Sequence, residues 1–212
     1  MRDDPRRWPW FVLVAMATLA LSLVAAGQGT VRGDVAVGRW VQRTPSGIGQ
    51  PVADTVGTLG STPWTAAFAF VVAIGFILAR RRGAAAIVIA AALLRVVTPL
   101  LKWLFDSPRP TPDVLRVSET PATNGFPSGH VIGVTLLCGA IATVLVRHGR
   151  SPRRGWLGVG IASVLVFLTG FGRVYNGAHW PSDVLGGILW ASLLLTGLFR
   201  AVESFGQRHG SS

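Results

Sequence analysis

The chain has 212 residues, of which 50% are hydrophobic and 14% are charged, and its formal net charge at pH 7 is +11. Soluble domains carry about 25% charged residues, so this composition excludes an ordinary soluble globular protein and favours a membrane protein with several spans. The basic residues lie in clusters between apolar segments, which is typical of membrane topology and argues against a nucleic-acid-binding surface.

Six apolar segments are each close to the roughly 20 residues that a transmembrane helix needs. The alternation of apolar and polar residues expected for a membrane β-barrel is absent, so the sequence predicts an all-α fold. We expect one membrane-embedded domain, residues 1–212, built as an integral membrane bundle of six transmembrane helices. In chain order, the predicted helices cover residues 8–26, 63–79, 84–103, 128–146, 155–171 and 182–200.

The first segment and the stretch after it each have two interpretations. Residues 1–27 also fit a secretory signal, because two arginines precede the apolar core and small residues follow it. The length of that core favours a retained membrane span. For residues 28–62, the spacing of the valines and Trp40 predicts a short amphipathic helix on the membrane surface. An ordered loop is the alternative.

The basic residues are distributed unevenly between the two sides of the predicted bundle. Twelve lie on the side of the termini, namely Arg2, Arg6, Arg7, Arg80, Arg81, Arg82, Arg147, Arg150, Arg153, Arg154, Arg200 and Arg208. Seven lie on the opposite side, namely Arg32, Arg39, Arg43, Lys102, Arg109, Arg116 and Arg173. Cytoplasmic loops carry the excess of Lys and Arg, so both termini are predicted to be cytoplasmic in a multi-pass protein of the plasma or inner membrane.

Three polar stretches lie at the ends of predicted spans, all on the extracytoplasmic side. They are residues 102–110 (KWLFDSPRP), 127–130 (PSGH) and 173–183 (RVYNGAHWPSD). Three basic side chains can stabilise the equatorial oxygens of a phosphoryl group in place of a metal ion: Lys102, Arg109 and Arg173. Each alone would be read as an interfacial anchor. Their occurrence in three loops on one side favours an anion-binding site.

The second and third stretches add groups that can carry out chemistry. Ser128 is predicted to cap the fourth span. Gly129 lets the backbone approach an anion closely, and the N–H groups at the helix N-terminus can bind it. His130 can protonate a leaving oxygen. In the third stretch, Asp183 lies four residues after His179 and can hold its imidazole as a nucleophile, while Ser182 is predicted to cap the sixth span.

Two further interpretations concern the same region. A zinc site would use His130, His179 and Asp183, but the usual ligand spacing is missing and three nearby cations disfavour a metal. Arg95, in the third span, is predicted either to line a headgroup cavity or pair with a carboxylate there, or to donate hydrogen bonds to carbonyls of a neighbouring helix.

These three stretches resemble the tripartite signature of the type 2 phosphatidic acid phosphatase superfamily, which also includes vanadium haloperoxidases and glucose-6-phosphatase. The resemblance covers about residues 34–200 and departs in one place, where Gly172 replaces a frequent Ser. It implies phosphate binding by Lys102, Arg109, Ser128, Gly129 and Arg173. It further implies His179 as the nucleophile, His130 as the general acid and Asp183 as the partner of His179, with no metal cofactor.

The resulting prediction is a metal-independent membrane phosphatase that hydrolyses lipid phosphate esters through a phosphohistidine. Its expected substrates are a polyprenyl diphosphate, which we favour, phosphatidic acid or phosphatidylglycerol phosphate, and its partners are membrane lipids. One alternative is a non-catalytic protein that binds or moves phospholipids with the same cationic pocket. A haloperoxidase using vanadate is disfavoured, because those enzymes are larger and soluble.

Overall fold

A computed structural model describes residues 8–149 and 151–209, and all the regular secondary structure within these residues is helical. This confirms the predicted all-α class. The α helices are α1 (Trp8–Gln28), α2 (Asp34–Val41), α3 (Ser46–Leu59), α4 (Thr62–Leu78), α5 (Arg82–Leu93), α6 (Val97–Phe105), α7 (Gly129–His148), α8 (Pro152–Tyr175) and α9 (Pro181–His209). A 3₁₀ turn, Leu94–Val96, joins α5 to α6.

Five helices in the described residues are long and apolar enough to cross a membrane: α1, the continuous unit of α5 and α6, α7, α8 and α9. Helix α4 adds a sixth span when it is taken together with α3, from which it is bent by 62°. The predicted segments fall on these helices in order, with ends that differ by at most about four residues, except that α9 continues to His209 where the prediction ended at residue 200.

Helix α7 lies at the centre of the bundle, where it packs against α4, α5, α8 and α9. Its candidate span is 56% buried, the largest share of any span in the described chain. Small residues allow this close packing: a Cβ on Gly155 of α8, for instance, would lie 2.9 Å from the Cα of Val146. The central position of α7 places its N-terminus among the ends of its neighbours.

Residues 28–62 form the two helices α2 and α3, so the prediction of an ordered loop is wrong for most of this stretch. Helix α3 packs on α8, and α2 packs on both α8 and α9. In α2, Asp34, Gly38 and Val41 are buried, whereas Val37 and Trp40 are exposed. The two helices therefore cover the end of the bundle at which α7 and α9 begin.

The third span is interrupted by the 3₁₀ turn that contains Arg95. Pro99 accounts for this break, because proline has no N–H to donate to the carbonyl four residues earlier and its ring clashes with that carbonyl. Arg95 is that earlier residue. After the break, α6 continues and carries Lys102 in its last turn.

Four of the basic residues used to predict the orientation, Arg2, Arg6, Arg7 and Arg150, lie outside the described residues. The same is true of the charged start of the possible secretory signal. The described part of that segment, α1, packs against α6 and α9. The Trp190 indole of α9 donates a hydrogen bond to Ser22 Oγ of α1 at 3.1 Å.

Candidate active site

The eight predicted site residues come from four helix ends and the loops between them, and the fold brings them together. Lys102 ends α6, Arg109 lies in the loop that follows, and Arg173 ends α8. His179 lies in the turn before α9, whose first turn contains Asp183. The N-terminal stretch of α7, Ser128, Gly129 and His130, joins this group because the Ser128 N–H donates to the Asp183 carbonyl at 3.0 Å.

His179 and Asp183 form the hydrogen-bonded pair that the sequence predicted. His179 Nδ1 lies 3.1 Å from Asp183 Oδ2, and both side chains are almost completely buried. The same carboxylate oxygen accepts the Trp180 N–H at 3.0 Å, which fixes the turn. With Nδ1 directed at the carboxylate, Nε2 is left as the nitrogen that faces the cations, 3.3 Å from Arg109 Nη1.

Burial and the positive charges of Lys102, Arg109 and Arg173 hold the pKa of His179 well below its ordinary value of 6.5. The imidazole is therefore neutral near pH 7, as a nucleophile must be.

Three buried polar atoms of the site residues have no hydrogen-bond partner within the described part of the chain: Ser128 Oγ, Arg173 Nε and Asp183 Oδ1. Ser128 occupies the N-cap position of α7, as predicted, but its hydroxyl makes no capping hydrogen bond. Buried donors are almost always satisfied in folded proteins. An anion at the N-terminus of α7 would supply an acceptor for Ser128 Oγ and Arg173 Nε and would also be stabilised by the helix dipole.

The other two cations are held in place by backbone carbonyls of the loop between α6 and α7. Lys102 Nζ donates to the carbonyls of Asn124 and Gly125, the latter at 3.1 Å. Arg109 donates to the carbonyls of Thr123 at 2.6 Å and Asn124 at 3.1 Å, and also to that of Ala178. Neither of these two side chains forms an ion pair with a carboxylate of the described residues.

Glu119 was not predicted from the sequence, yet it contacts the site directly. Its carboxylate forms an ion pair with Arg173 Nη2 and accepts a hydrogen bond from Asn176 Nδ2 at 2.9 Å. Partial burial acts to raise the pKa of Glu119, but the hydrogen bond and charge of Arg173 outweigh it and hold the pKa below its ordinary value. Glu119 is therefore ionised near pH 7 and occupies one edge of the Arg173 guanidinium.

The C-terminal end of α3 covers His130. A Cβ on Gly60, just after α3, would lie 3.3 Å from His130 Cδ2, and one on Gly57 would lie 3.3 Å from Arg173 Nη1. Glycines at these positions allow the helix to approach both side chains closely.

Asp34 is a second residue that the sequence did not reveal. Its buried carboxylate accepts the Ser182 N–H at 2.9 Å and the Ser182 hydroxyl at 2.7 Å. Ser182 was predicted to cap the sixth span, but α9 begins at Pro181 and the cap comes from Asp34 of α2. This contact holds α2 against the residue that precedes Asp183.

Arg95 donates from Nη1 to the Gly60 carbonyl at 3.3 Å and to Thr65 Oγ1 at 2.8 Å. The prediction was a hydrogen bond to carbonyls of a neighbouring helix, and the carbonyl that accepts is that of Gly60, the C-cap residue just after α3. Arg95 also lines a cavity of about 720 Å³ that runs from Lys102 and Gly129 between the third span, α4 and α7. Val96 on this cavity is 78% exposed, so the cavity lies next to the lipid-facing surface.

Within the described residues, no group of three or more His, Cys, Asp or Glu side chains is arranged to hold a metal ion. The zinc interpretation therefore has no ligand set in the described part of the chain.

The sequence profile of the PAP2 superfamily matches residues 82–206, which is more than half of the chain and contains all three polar stretches. The chain belongs to the PAP2 superfamily. Its similarity to individual members is lower. It is 33% identical over 90 residues to phosphatidylglycerophosphatase B of Bacillus subtilis, a match that covers 39% of this chain and 43% of that protein.

Two other relatives carry the name undecaprenyl-diphosphatase. BcrC of Bacillus subtilis is 31% identical over 101 residues, covering 47% of each chain. The Sulfolobus acidocaldarius protein is 39% identical over 77 residues, covering 35% of this chain and 33% of the relative. The matched region thus spans less than half the length of each of these curated relatives.

The fold matches a crystal structure of a transmembrane PAP2 type phosphatidylglycerolphosphate phosphatase from Bacillus subtilis. The TM-score is 0.80 at 21% sequence identity, and the match covers 92% of this chain and 96% of the other. The two chains therefore share one helical transmembrane fold along almost their whole lengths.

Proposed function

We propose that this PAP2 superfamily member is a lipid phosphate phosphatase that works through a phosphohistidine on His179. The observation that carries the proposal is the buried, neutral imidazole of His179, with Nε2 directed at a cluster of cations and Nδ1 held by Asp183. The names of the relatives, which are phosphatases of phosphatidylglycerophosphate and undecaprenyl diphosphate, support the same class of substrate.

In the first step, His179 Nε2 attacks the phosphorus, and an N–P bond forms as the P–O bond to the lipid breaks. Lys102, Arg109, Arg173 and the N-terminus of α7 stabilise the charge on the equatorial oxygens, and His130 donates a proton to the leaving oxygen. Asp183 stabilises the positive charge that develops on the imidazole of His179.

In the second step, a water molecule attacks the phosphohistidine. His130, now neutral, takes a proton from that water. The N–P bond breaks, inorganic phosphate is released, and the neutral imidazole of His179 is restored. No metal ion enters either step, because the three cations supply the positive charge that a metal would bring.

The substrates we propose are lipid phosphate esters: a polyprenyl diphosphate, phosphatidic acid or phosphatidylglycerol phosphate. The cavity between the third span, α4 and α7 supports a lipid substrate, because it places apolar surface beside Lys102. We further propose that the site faces the extracytoplasmic side of the plasma or inner membrane and that both termini are cytoplasmic, from the distribution of basic residues.

The test is phosphate release by the detergent-solubilised protein in EDTA, with each of the three lipids and with His179→Ala as the control. We expect release that EDTA does not abolish and that the variant loses by at least about 10³-fold, as for removal of a covalent nucleophile. Acid-labile phosphate trapped on the wild type and absent from the variant would identify the phosphohistidine. Folded protein that binds these lipids without releasing phosphate would instead support the binding-protein alternative.

A further inference from the structure

The guanidinium of Arg95 has N–H donors that no group in the described residues accepts. Nη1 is held by Gly60 and Thr65, but Nε and Nη2 make no hydrogen bond within the described residues. No carboxylate of the described chain lies within ion-pair distance of this guanidinium. A charged group inside a membrane span is costly and usually serves a function. Since Arg95 lines the cavity, the free edge of its guanidinium is available to a molecule there.

Arg95 lies one helical turn deeper along α7 than Lys102 does. A Cβ on Gly129 would lie 3.2 Å from Thr98 Cγ2 and 3.9 Å from Lys102 Cε. A Cβ on Gly133 would lie only 2.8 Å from Arg95 Cζ and 3.2 Å from its Nε. Gly129 and Gly133 are four residues apart, which is about 6 Å along a helix. The two cations therefore follow the same glycine face of α7, with Lys102 at the phosphate site and Arg95 behind it.

Arg95 also lies near the group that we propose protonates the leaving oxygen. Both Arg95 and Arg173 lie within electrostatic range of His130, the proposed acid. Arg95 binds the carbonyl of Gly60, the residue whose Cβ position lies against the His130 ring. A substrate whose terminal phosphate lies at Lys102 and whose chain extends into the cavity would pass its next group between His130 and Arg95.

We propose that Arg95 binds the lipid-linked phosphate of a diphosphate substrate, while Lys102, Arg109 and Arg173 bind the terminal phosphate. This inference rests on the proposed function and identifies lipid diphosphates as the preferred substrates among the lipid phosphates. When His179 attacks the terminal phosphorus, the bond to the bridging oxygen breaks and its electron pair stays on the lipid monophosphate. Arg95 is placed to stabilise that charge. A monophosphate ester has no second phosphate for Arg95 to bind.

The experiment compares farnesyl diphosphate with farnesyl monophosphate, which share one chain, on the wild type, Arg95→Gln and Arg95→Lys. For Arg95→Gln we expect kcat/KM to fall about 10²-fold on the diphosphate, as for loss of one preorganised donor, and less than about threefold on the monophosphate. Arg95→Lys should recover part of the loss because it keeps the charge. Thr65→Val is the matched control, since it removes a structural partner of Arg95 and should affect both substrates equally.

A second measurement needs no variant and so does not depend on folding of a mutant. We expect farnesyl methylenediphosphonate, which cannot be cleaved at the bridge, to inhibit the wild type at least about tenfold more tightly than farnesyl phosphonate, which corresponds to about 1.4 kcal/mol.

Several outcomes would overturn the assignment. Equal losses on both substrates would make Arg95 a structural residue, and equal inhibition by the two phosphonates would remove the second phosphate subsite. Wild-type protein that hydrolyses only the monophosphate would contradict this inference while leaving the proposed phosphatase function intact. Wild-type protein that releases phosphate from neither would contradict both.

Discussion

The residues at the site differ in how visible they are in the sequence. Lys102, Ser128 and His179 stand out because polar side chains at the ends of apolar spans are costly and few. Glu119 and Asp34 gave no such signal. Glu119 contacts a residue 54 positions away, and Asp34 contacts one 148 positions away, so no local spacing connects either with the site. Their roles depend on how the helices pack, which the sequence pattern does not specify.

In the proposed site, the ion pair of Glu119 with Arg173 would compete with phosphate for the guanidinium. In Glu119→Gln the ion pair with Arg173 is lost but the amide can still accept a hydrogen bond from Asn176. We therefore expect inorganic phosphate and orthovanadate to inhibit the variant roughly 5–10-fold more tightly than the wild type, about 1 kcal/mol, because the guanidinium keeps its full charge for the anion. Inhibition constants measured at one pH and ionic strength check this. Asp113→Asn, which removes an exposed carboxylate of the same loop, should leave the constants unchanged. Weaker inhibition of Glu119→Gln would mean that Glu119 mainly positions Arg173.

The depressed pKa of His179 predicts the pH dependence of the reaction. Above its folded-state pKa the imidazole is neutral, so activity that depends on His179 is retained as the pH falls through 6.5 and is lost only well below that value. The acid limb of kcat should therefore lie below pH 6.5, and measuring kcat with both a mono- and a diphosphate separates it from titration of the substrate. A limb at or above pH 6.5 with both substrates would contradict a neutral His179 if direct titration of its ring gave the same value, and would otherwise report protonation of the Asp183 carboxylate that it contacts.

At the scale of the helices, the spans were predictable, whereas for the stretch that forms α2 and α3 the sequence left open a choice between one short helix and a loop. A span is recognised by about 20 consecutive apolar residues, whatever it packs against. Helices α2 and α3 have weaker patterns, and they are ordered by contacts with α8 and α9 that lie far away in sequence. The break at Leu94–Val96 did have a local signal, Pro99, which the hydropathy of the third span concealed.

Asp34 of α2 caps the first turn of α9, so removing its carboxylate should destabilise the folded protein. Asp34→Ala would leave the buried Ser182 N–H and hydroxyl without their acceptor, so we expect destabilisation of about 1–3 kcal/mol. Thermal unfolding in detergent measures this. Asp34→Asn keeps an oxygen acceptor and should lose less, and Asp54→Ala, which removes an exposed carboxylate on α3, should change stability by less than about 0.5 kcal/mol. Equal unfolding temperatures for Asp34→Ala and Asp54→Ala would contradict the capping role.

At the scale of the whole molecule, the proposed orientation in the membrane rests on the distribution of basic residues, and cysteine labelling tests it. We expect a cysteine at Asp113, in the loop of the proposed site, to react with a membrane-impermeant maleimide added to intact cells. A cysteine at Arg153, at the other end of the bundle, should react only after the membrane is opened. Both substitutions are made in a Cys138→Ala background, because Cys138 is the single native cysteine. Labelling of Arg153→Cys alone in intact cells would reverse the proposed topology.

The cavity beside Val96 and Lys102 has a consequence for how the rate must be measured. If a substrate reaches Lys102 while its chain stays in the bilayer, encounters are two-dimensional, and the quantity that drives them is the fraction of lipid molecules that are substrate. In mixed micelles the rate should then follow the mole fraction of substrate and stay constant when micelles of fixed composition are added in excess. A Michaelis constant for such a protein is a surface density. The rate in a cell therefore depends on how far other lipids dilute the substrate in the leaflet.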